Sequence, residues 1–254
     1  MGFEVAAEGY DRFIGRYSRA LAPRFADFAV ASGGPVLDVG CGPGALLAEL
    51  AGRVGAAQVA GVDPSPPFVA AARARVPGAD VRLGAGEALP FGDGAFAAAL
   101  SQLVVAFVKD ADRVAAEMRR VVRPGGAVAF AMFAHDGFEL VRTYWKAALA
   151  FEGKAPDDAR LPFRRLPELV GLCERAGLRE VASTEIPLEA AYAGFDDLWV
   201  PFSLGIGPTG EHLVAQPPAR QAQLREACFE LLGRPEGPFT LKARVLAVRG
   251  TVDG

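Results

Sequence analysis

The chain has 254 residues, 51% of them hydrophobic, so it can bury a sizeable core as one enlarged domain or as one domain with a cap. A net charge of −3 does not indicate a large basic surface, which argues against a nucleic-acid partner. No apolar run is long enough to predict a membrane span. Three cysteines without C-x-x-C spacing and two histidines argue against a disulfide framework and against a structural zinc. Charged residues interrupt the first thirty positions, so no secretory signal is predicted and we expect a cytoplasmic protein.

Aromatic and apolar side chains recur at helical spacing in the first thirty residues. Tyr10, Phe13, Tyr17 and Leu21 predict a helix laid on the domain. A stripe of this kind can simply pack on the core.

A glycine turn follows the first predicted strand. The β-branched run from Val36 leads into Gly40, Gly42 and Gly44, and an apolar helix begins directly afterwards. Glycines at alternate positions allow a sharp turn and a close approach of the backbone to a small ligand. The backbone N–H groups at the start of the next helix can then bind a carboxylate or a phosphate.

Two ligand classes fit this turn. Gly40, Gly42 and Ala45 satisfy the dinucleotide fingerprint G-x-G-x-x-G/A, and Asp63 lies about 20 residues on, where a ribose-binding acid is expected. Asp38, two residues before the first glycine, indicates instead an ammonium group and therefore an amino-acid moiety.

Strands and helices alternate after the turn. Strands are predicted over 58–62, 80–83, 96–100 and 127–133, with a helix starting at Pro66, a helix capped by Asp110 and a turn over 123–126. Further helices are predicted over 137–151, 166–177 and 221–232, and strands over 180–188 and 239–248. Short connections favour a parallel sheet with right-handed crossovers.

Four motifs in this order resemble those of the class I S-adenosylmethionine-dependent methyltransferases, in particular the ubiquinone/menaquinone-biosynthesis-like small-molecule methyltransferases. The motifs lie within roughly the first half of the chain, over 36–44, 59–65, 84–91 and 117–126. The resemblance implies a Rossmann-like, doubly wound α/β fold with a mostly parallel seven-stranded sheet and an antiparallel last strand. It also implies an N-terminal helical leader (1–30) that closes over the cofactor. The methyltransferase domain (31–254) would then carry helical cap segments at about 137–165 and 190–236.

The resemblance also implies the residues that bind S-adenosylmethionine and its product S-adenosylhomocysteine. Asp63 would accept hydrogen bonds from both ribose hydroxyls, since one carboxylate offers two acceptor oxygens to a diol. The full predicted set is Asp38, Gly40, Cys41, Gly42, Gly44, Asp63, Pro64, Ser65, Gly86, Glu87, Ala88, Ser101, Gln102, Tyr10 and Arg16. Cys41 is interpreted as a small turn residue and not as a nucleophile.

Two positions depart from the family pattern, because Ala85 and Ala97 stand where relatives commonly have aspartate. The first departure removes an acid expected to contact the adenine amino group.

The reaction itself needs no metal, because the sulfonium methyl group is already activated. If the acceptor requires a general base, His135 is the candidate, since it follows the fifth strand at the edge where substrates bind. The sequence predicts methyl transfer to a small-molecule substrate and leaves the oligomeric state open. Two alternatives remain at this point: a nicotinamide-dependent oxidoreductase and a non-catalytic S-adenosylmethionine-binding or sensing protein.

Overall fold

A computed structural model of the chain describes residues 7–29, 33–153 and 161–253. Their strands form one seven-stranded sheet with the order β3-β2-β1-β4-β5-β7-β6. In chain order the strands are β1 (Val36–Val39), β2 (Val59–Asp63), β3 (Asp80–Leu83), β4 (Phe96–Gln102), β5 (Val122–Phe138), β6 (Arg179–Tyr192) and β7 (Phe239–Thr251).

The helices begin with an N-terminal run in which a π-helical turn (Asp11–Gly15) joins two α-helical pieces. A short 3₁₀ turn (Ala56–Gln58) precedes β2. The α-helices are α1 (Ala7–Tyr10), α2 (Arg16–Ala29), α3 (Ala45–Val54), α4 (Pro66–Arg75), α5 (Ala111–Val121), α6 (Glu139–Glu152), α7 (Leu166–Arg175), α8 (Phe195–Ser203), α9 (Gly207–Val214) and α10 (Pro218–Leu231).

Strands β1 to β5 pair in parallel, whereas β7 runs antiparallel to both β5 and β6. The predicted fold class, a mostly parallel doubly wound sheet with an antiparallel last strand, is therefore confirmed. Every residue of β1 and β2 is buried, as expected for central parallel strands that are covered on both faces.

Two hydrophobic clusters cover the two faces of the sheet. On one face α2 and α3 pack together, and Leu21, Phe25 and Leu47 are fully buried there. On the other face α5 and α7 contribute Met118 and Leu169, which are also fully buried. The predicted N-terminal stripe thus packs on the core along α2.

The largest difference from the predicted elements lies in β5, which is longer than the predicted strand over 127–133. The predicted turn over 123–126 is a bulge within this strand, because Phe96 pairs with Val122 while Ala98 pairs with Ala127. Gly125 has a φ of +74° and donates its N–H to the carbonyl of Val252, which holds the bulge against the end of β7.

The antiparallel half of the sheet extends beyond the parallel half. The last pairing of β4 joins Gln102 to Ala131, and Ala131 pairs in turn with Ala247 of β7. Strand β7 starts eight residues earlier, at Phe239, which pairs with Tyr192. Eight residues of antiparallel strand span about 27 Å. The paired ends of β5, β6 and β7 therefore project past the edge at which β1 and β4 end. We call these paired ends the projecting wall.

Helices α6, α8, α9 and α10 pack beside this projecting wall. Helix α6 contacts α9 and α10, and α8 contacts both α9 and the π-helical turn. They occupy the described parts of the two predicted cap segments, although residues 154–160 of the first segment lie outside the described residues. Residues 1–6 and 30 of the predicted leader, and 31, 32 and 254 of the predicted domain, lie outside them as well.

Candidate active site

The glycine turn lies between the end of β1 and the start of α3. Gly40 has a φ of +73°, and a Cβ at this position would lie 2.5 Å from a methyl carbon of Val104. Gly44 has a φ of +87°, and a Cβ there would lie 3.2 Å from the Cα of Ala72 on α4. Both positions therefore require glycine for conformation and for space. By contrast, a Cβ on Gly42 would meet nothing within 4 Å.

Hydrogen bonds tie this turn to the neighbouring strand. The N–H groups of Gly40 and Cys41 donate to the carbonyl of Val62 at 2.8 and 3.0 Å. The N–H of Gly42 donates to Oδ2 of Asp63 at 2.9 Å. The backbone of the turn is thus positioned by β2 and by the acid that ends it.

Asp38 is buried at the end of β1 and keeps an acceptor without a partner. Its residue is 1% exposed, and its Oδ2 accepts no hydrogen bond from the described residues. Burial raises the pKa of Asp38 to about 8, with a smaller contribution from Asp63, while the N–H of Leu47 opposes the rise. Burial also raises the pKa of the Cys41 thiol, which makes Cys41 a poor nucleophile.

Asp63 is engaged with the protein backbone through both oxygens. Besides the bond from Gly42, Oδ1 accepts the N–H of Ser65 at 2.9 Å. Burial raises the pKa of Asp63, and these two N–H groups lower it. Pro64 between them is exposed and leads into α4. Each carboxylate oxygen retains a second lone pair, so Asp63 can accept further hydrogen bonds.

The end of β4 supplies two further polar groups that lack partners. Ser101 is 1% exposed, and neither its Oγ nor the Oε1 of Gln102 has a partner among the described residues. Nε2 of Gln102 donates to the carbonyl of Ser18 in α2 at 3.2 Å. These groups lie at the carboxyl edge of the sheet, where open α/β sheets bind ligands.

A small cavity of about 20 Å³, which we call the turn cavity, lies beside the glycine turn. The N-terminal run forms one of its walls, and burial together with nearby Asp63 raises the pKa of Tyr10 to about 12. The Tyr10 ring also contacts Phe68 of α4 at 5.2 Å between centroids. The lining residues are Tyr10, Asp11, Ser18, Asp38, Gly40, Cys41, Gly42, Pro43, Ala45, Leu46 and Gln102.

Arg16 does not line the turn cavity. Its guanidinium forms an ion pair with Asp197 of α8 at 2.9 Å and lies 4.2 Å from the ring centroid of Tyr192. Of the two N-terminal residues predicted to bind the cofactor, the structure therefore places only Tyr10 at the turn.

The predicted adenine loop follows β3 and lies beside the turn. A Cβ on Gly86 would be 3.3 Å from Cγ1 of Val39, and Glu87 accepts the N–H of Lys109 at 3.0 Å. Ala88 closes a turn on the carbonyl of Ala85. The loop is thus packed against the last residue of β1.

Sequence reasoning assigned no role to Glu117, the residue of α5 that fixes this loop. Glu117 on α5 is 6% exposed and accepts the N–H of Leu89 at 3.0 Å. Arg120 donates to the same carboxylate at 2.7 Å, and this bond lowers the pKa of Glu117. The signal in the sequence was the Glu117/Arg120 spacing, which places both side chains on one side of a helix.

The candidate base His135 lies in a second and much larger cavity, the basic cleft, which encloses about 1030 Å³. The cleft is formed by the projecting ends of β5, β6 and β7 and by the first turns of α6. Its lining comprises His135, Asp136, Gly137, Glu139, Val141, Arg142, Thr143, Trp145, Lys146, Arg164, Pro187, Leu188, Glu189, Leu231, Lys242, Ala243 and Arg244. His135 and the glycine turn therefore line different cavities.

Three further observations concern the described residues. They contain no group of three or more His, Cys, Asp or Glu side chains placed to bind a metal. Within the same ranges, no helix is both long enough and apolar enough to cross a bilayer. Cys41, Cys173 and Cys228 are buried and form no disulfide.

A family model for a methyltransferase domain matches residues 37–130, which span the glycine turn, Asp63, the adenine loop and the start of β5. The malonyl-[acyl-carrier protein] O-methyltransferase of Geobacter sulfurreducens is 31% identical over 185 residues, covering 70% of this chain and 69% of that protein. The demethylmenaquinone methyltransferase of Thermus thermophilus is 35% identical over 143 residues, covering 53% of this chain and 65% of that protein.

A solved structure from Thermotoga maritima, an S-adenosylmethionine-dependent methyltransferase and possible histamine N-methyltransferase, covers 97% of this chain with a TM-score of 0.53. The alignment spans 99% of that chain at 22% identity, so this likeness concerns the fold. The comparisons favour neither a nicotinamide-dependent oxidoreductase nor a non-catalytic binding protein. The motifs, the strand order and a relative matched over more than two thirds of its length agree: the chain belongs to the class I S-adenosylmethionine-dependent methyltransferases.

Proposed function

We propose that the chain transfers the methyl group of S-adenosylmethionine to a small-molecule acceptor, and that the cofactor lies along the carboxyl edge of β1, β2 and β4. The observation that carries this placement is a set of buried polar atoms without partners around the glycine turn. They are Oδ2 of Asp38, Oγ of Ser101 and Oε1 of Gln102. Native proteins rarely leave buried polar atoms unpaired, so these three point to a polar ligand.

The residues fit the cofactor in charge as well as in position. Asp38 and Gln102 present acceptor oxygens to an ammonium group, and Asp63 presents its remaining lone pairs to a ribose diol. The loop over Gly86, Glu87 and Ala88 forms a wall for the adenine ring. With Ala85 in place of an acid, backbone groups and Leu89 carry that recognition.

We assign the N-terminal run the role of a leader that closes over the cofactor. Ligand pockets typically enclose about 300–1,000 Å³, whereas the turn cavity encloses about 20 Å³ with Tyr10, Asp11 and Ser18 in its wall. The leader must therefore move outward before the cofactor enters. Asp11 is held to α4 by an ion pair with Arg75 and to α2 by a longer pair with Arg19 at 3.3 Å.

Positioning and exclusion of water account for catalysis in this proposal. When bound, S-adenosylmethionine supplies an activated methyl group. The chain contributes the orientation of donor and acceptor and a dry site sealed by the leader. His135 is retained as the candidate base for an acceptor that must lose a proton, provided that the acceptor reaches into the basic cleft.

The acceptor class is argued from the relatives and from the size of the basic cleft. One relative is named for a malonyl group on a carrier protein and another for demethylmenaquinone, so acceptors of different chemistry occur among similar chains. A cleft of about 1030 Å³ can hold a small molecule or a group of that size.

The three buried free cysteines support a reducing compartment, the cytoplasm.

The test is calorimetric titration with S-adenosylhomocysteine and with NAD. We expect S-adenosylhomocysteine to bind and NAD not to bind. Asp63→Ala should weaken S-adenosylhomocysteine binding by about 1–3 kcal/mol, the range for polar partners left unpaired. The matched control is Asp80→Ala at the exposed start of β3, which should leave the affinity unchanged.

Tight NAD binding without S-adenosylhomocysteine binding would overturn the proposal. Catalysis is tested separately by incubating the protein and methyl-labelled cofactor with pools of small molecules. Label in a product supports methyl transfer; cofactor binding with no labelled product across carboxylate, hydroxyl, amine and quinone pools contradicts it.

A further inference from the structure

The basic cleft carries a concentration of positive charge that the proposed cofactor site does not use. Five cationic and three anionic side chains line it, although the whole chain has a net charge of −3. The cationic residues are Arg142, Lys146, Arg164, Lys242 and Arg244. The cleft is therefore a local reversal of the charge of the protein.

Three of these cations have no carboxylate partner among the described residues. Lys146 and Lys242 form no ion pair there, and Arg142 donates only to the backbone carbonyl of Asp136 at 3.0 Å. Arg244, in contrast, is paired with both Asp136 and Glu185. The unpaired cations can therefore form ion pairs with a negatively charged group of a ligand.

The anionic residues of the cleft are for the most part engaged. Asp136 is paired with Arg244, and the hydrogen bond from its own backbone N–H, followed by the charges of Arg244 and Arg142, lowers the pKa of Asp136. Glu139 accepts the backbone N–H of Lys242 at 2.8 Å. Glu189 is the remaining acid of the lining. The charge available to a ligand is thus positive.

Part of the cleft lining is apolar. Val141, Leu188 and Ala243 line the cleft and are buried. Arg164, itself 6% exposed, donates to the carbonyls of Ala134 and His135 and so fixes the backbone on which His135 stands. Buried supports of this kind hold the wall of the cleft in one geometry.

Strand β5 links the cleft to the proposed methyl-transfer site. His135 is four residues beyond Ala131, which pairs with Gln102 at the end of β4. The strand distance between them is at most about 13 Å, because β5 bulges between the pairings of Phe133 with Val245 and of Phe138 with Ala243. Phe133 lies between these two levels and packs with Phe138 and Tyr17 in a buried aromatic cluster.

We infer that the basic cleft binds an anionic group of the methyl acceptor, a carboxylate or a phosphate, through Arg142, Lys146 and Lys242. The inference rests on the proposed function for its acceptor role. Guanidinium and ammonium groups together suit both anions, since the first binds them in a bidentate fashion and the second as a point charge.

The experiment measures binding and not turnover. Diphosphate and malonate are titrated separately into the full chain by calorimetry, with S-adenosylhomocysteine titrated in parallel. The test variants are Lys146→Gln and the double variant Arg142→Gln/Lys146→Gln. The charge-matched control is Arg119→Gln/Arg179→Gln, because Arg119 lies on α5 and Arg179 at the start of β6, the opposite end of that strand from the cleft.

We expect wild type to bind at least one anion and the double variant to lose about tenfold or more in affinity for it, as for hydrogen bonds to charged groups. The control should retain wild-type affinity, and all variants should bind S-adenosylhomocysteine as wild type does. Lys146→Gln alone, which removes no described contact, should show a smaller loss in the same direction. Tighter binding of diphosphate assigns a phosphate-bearing acceptor, and tighter binding of malonate a carboxylate.

Three results overturn the inference while the proposed function stands: S-adenosylhomocysteine binds but neither anion does, the control loses as much anion affinity as the double variant, or the anion competes with S-adenosylhomocysteine. Failure of S-adenosylhomocysteine to bind wild type would instead overturn the proposed function, whatever the anions do.

Discussion

The turn cavity and the basic cleft differ in size, in charge and in the way the chain builds them. The first encloses about 20 Å³ and is lined mainly by two short stretches, the N-terminal run and the residues from Asp38 to Leu46. The second encloses about 1030 Å³ and draws its lining from five separate parts of the chain. The residues proposed to bind the cofactor therefore lie close together in the sequence, whereas those proposed to bind the acceptor are brought together only by the fold.

The sharpest way to separate the two regions is a methyl group at Gly40. Gly40→Ala places a Cβ 2.5 Å from Val104 at a φ of +73°. Conformational cost and overpacking together should destabilise the protein by about 2–5 kcal/mol and abolish S-adenosylhomocysteine binding. Denaturant unfolding and calorimetry measure the two effects.

The matched control for this prediction is Gly42→Ala, whose Cβ meets nothing within 4 Å at a φ of +52°. It should cost only about 1–2 kcal/mol, the conformational part alone. Equal destabilisation by the two variants would mean that crowding against Val104 has no role. If Gly40→Ala remains folded, its affinity for the anions of the basic cleft should be that of wild type.

The second prediction concerns protons, which should matter in the turn cavity. Asp38 has a pKa of about 8 in the ligand-free protein, so it is mostly protonated at pH 7. An ammonium ligand favours the charged carboxylate and lowers this pKa, so binding releases a proton. The affinity for S-adenosylhomocysteine should therefore rise with pH up to about 8, by at most about tenfold per pH unit.

Calorimetry between pH 6 and 8 in buffers of different ionisation enthalpy measures both the affinity and the protons released. Asp38→Asn should remove the pH dependence. A constant affinity with no proton release in wild type would show that Asp38 does not face the ammonium group. The raised pKa also means that the ligand-free folded state binds more protons than the unfolded state between 3.8 and about 8, so its stability should fall as pH rises through that window.

The smallest effect is expected at Arg16, which the structure places in neither cavity. Arg16→Gln removes a partly exposed ion pair with Asp197 and should cost at most about 1 kcal/mol of stability. The affinity for S-adenosylhomocysteine should change by less than about twofold, well under 1 kcal/mol. Asp197→Asn should reproduce the stability change. A tenfold loss of affinity for S-adenosylhomocysteine in Arg16→Gln alone would show that Arg16 takes part in cofactor binding.

Most of the parallel half of the fold could be predicted from the sequence, because its signals are local. The glycine turn, Asp63 at the end of β2 and the start of α4 at Pro66 all follow from short patterns of residues. The start of β7 at Phe239 was also predicted, whereas the extensions of β5 and β6 were not, since they depend on pairing between strands far apart in the chain. Residues 137 and 138 were predicted to begin a helix, but they belong to β5, where Phe138 pairs with Ala243 of β7.

The candidate site divides in the same way. Asp38, Gly40 and Gln102 were predicted and lie together at the turn, because each stands at or directly after the end of a neighbouring strand. Glu117 was missed because an acid three residues before an arginine is also the pattern of an ordinary surface ion pair. The sequence does not show that this acid is buried. Arg16 was predicted at the cofactor by resemblance, whereas its contacts with Asp197 and Tyr192 depend on a strand end about 175 residues away.

In the projecting wall of β5, β6 and β7, the backbone pairing and the side chains that line the cleft have separate roles. The backbone hydrogen bonds between the strands do not involve the side chains that line the cleft, such as that of Lys242. Replacing those side chains changes the charge of the basic cleft and leaves the strand pairing and the glycine turn as they are. If the cleft binds the acceptor as proposed, single substitutions in it change acceptor preference without changing the fold.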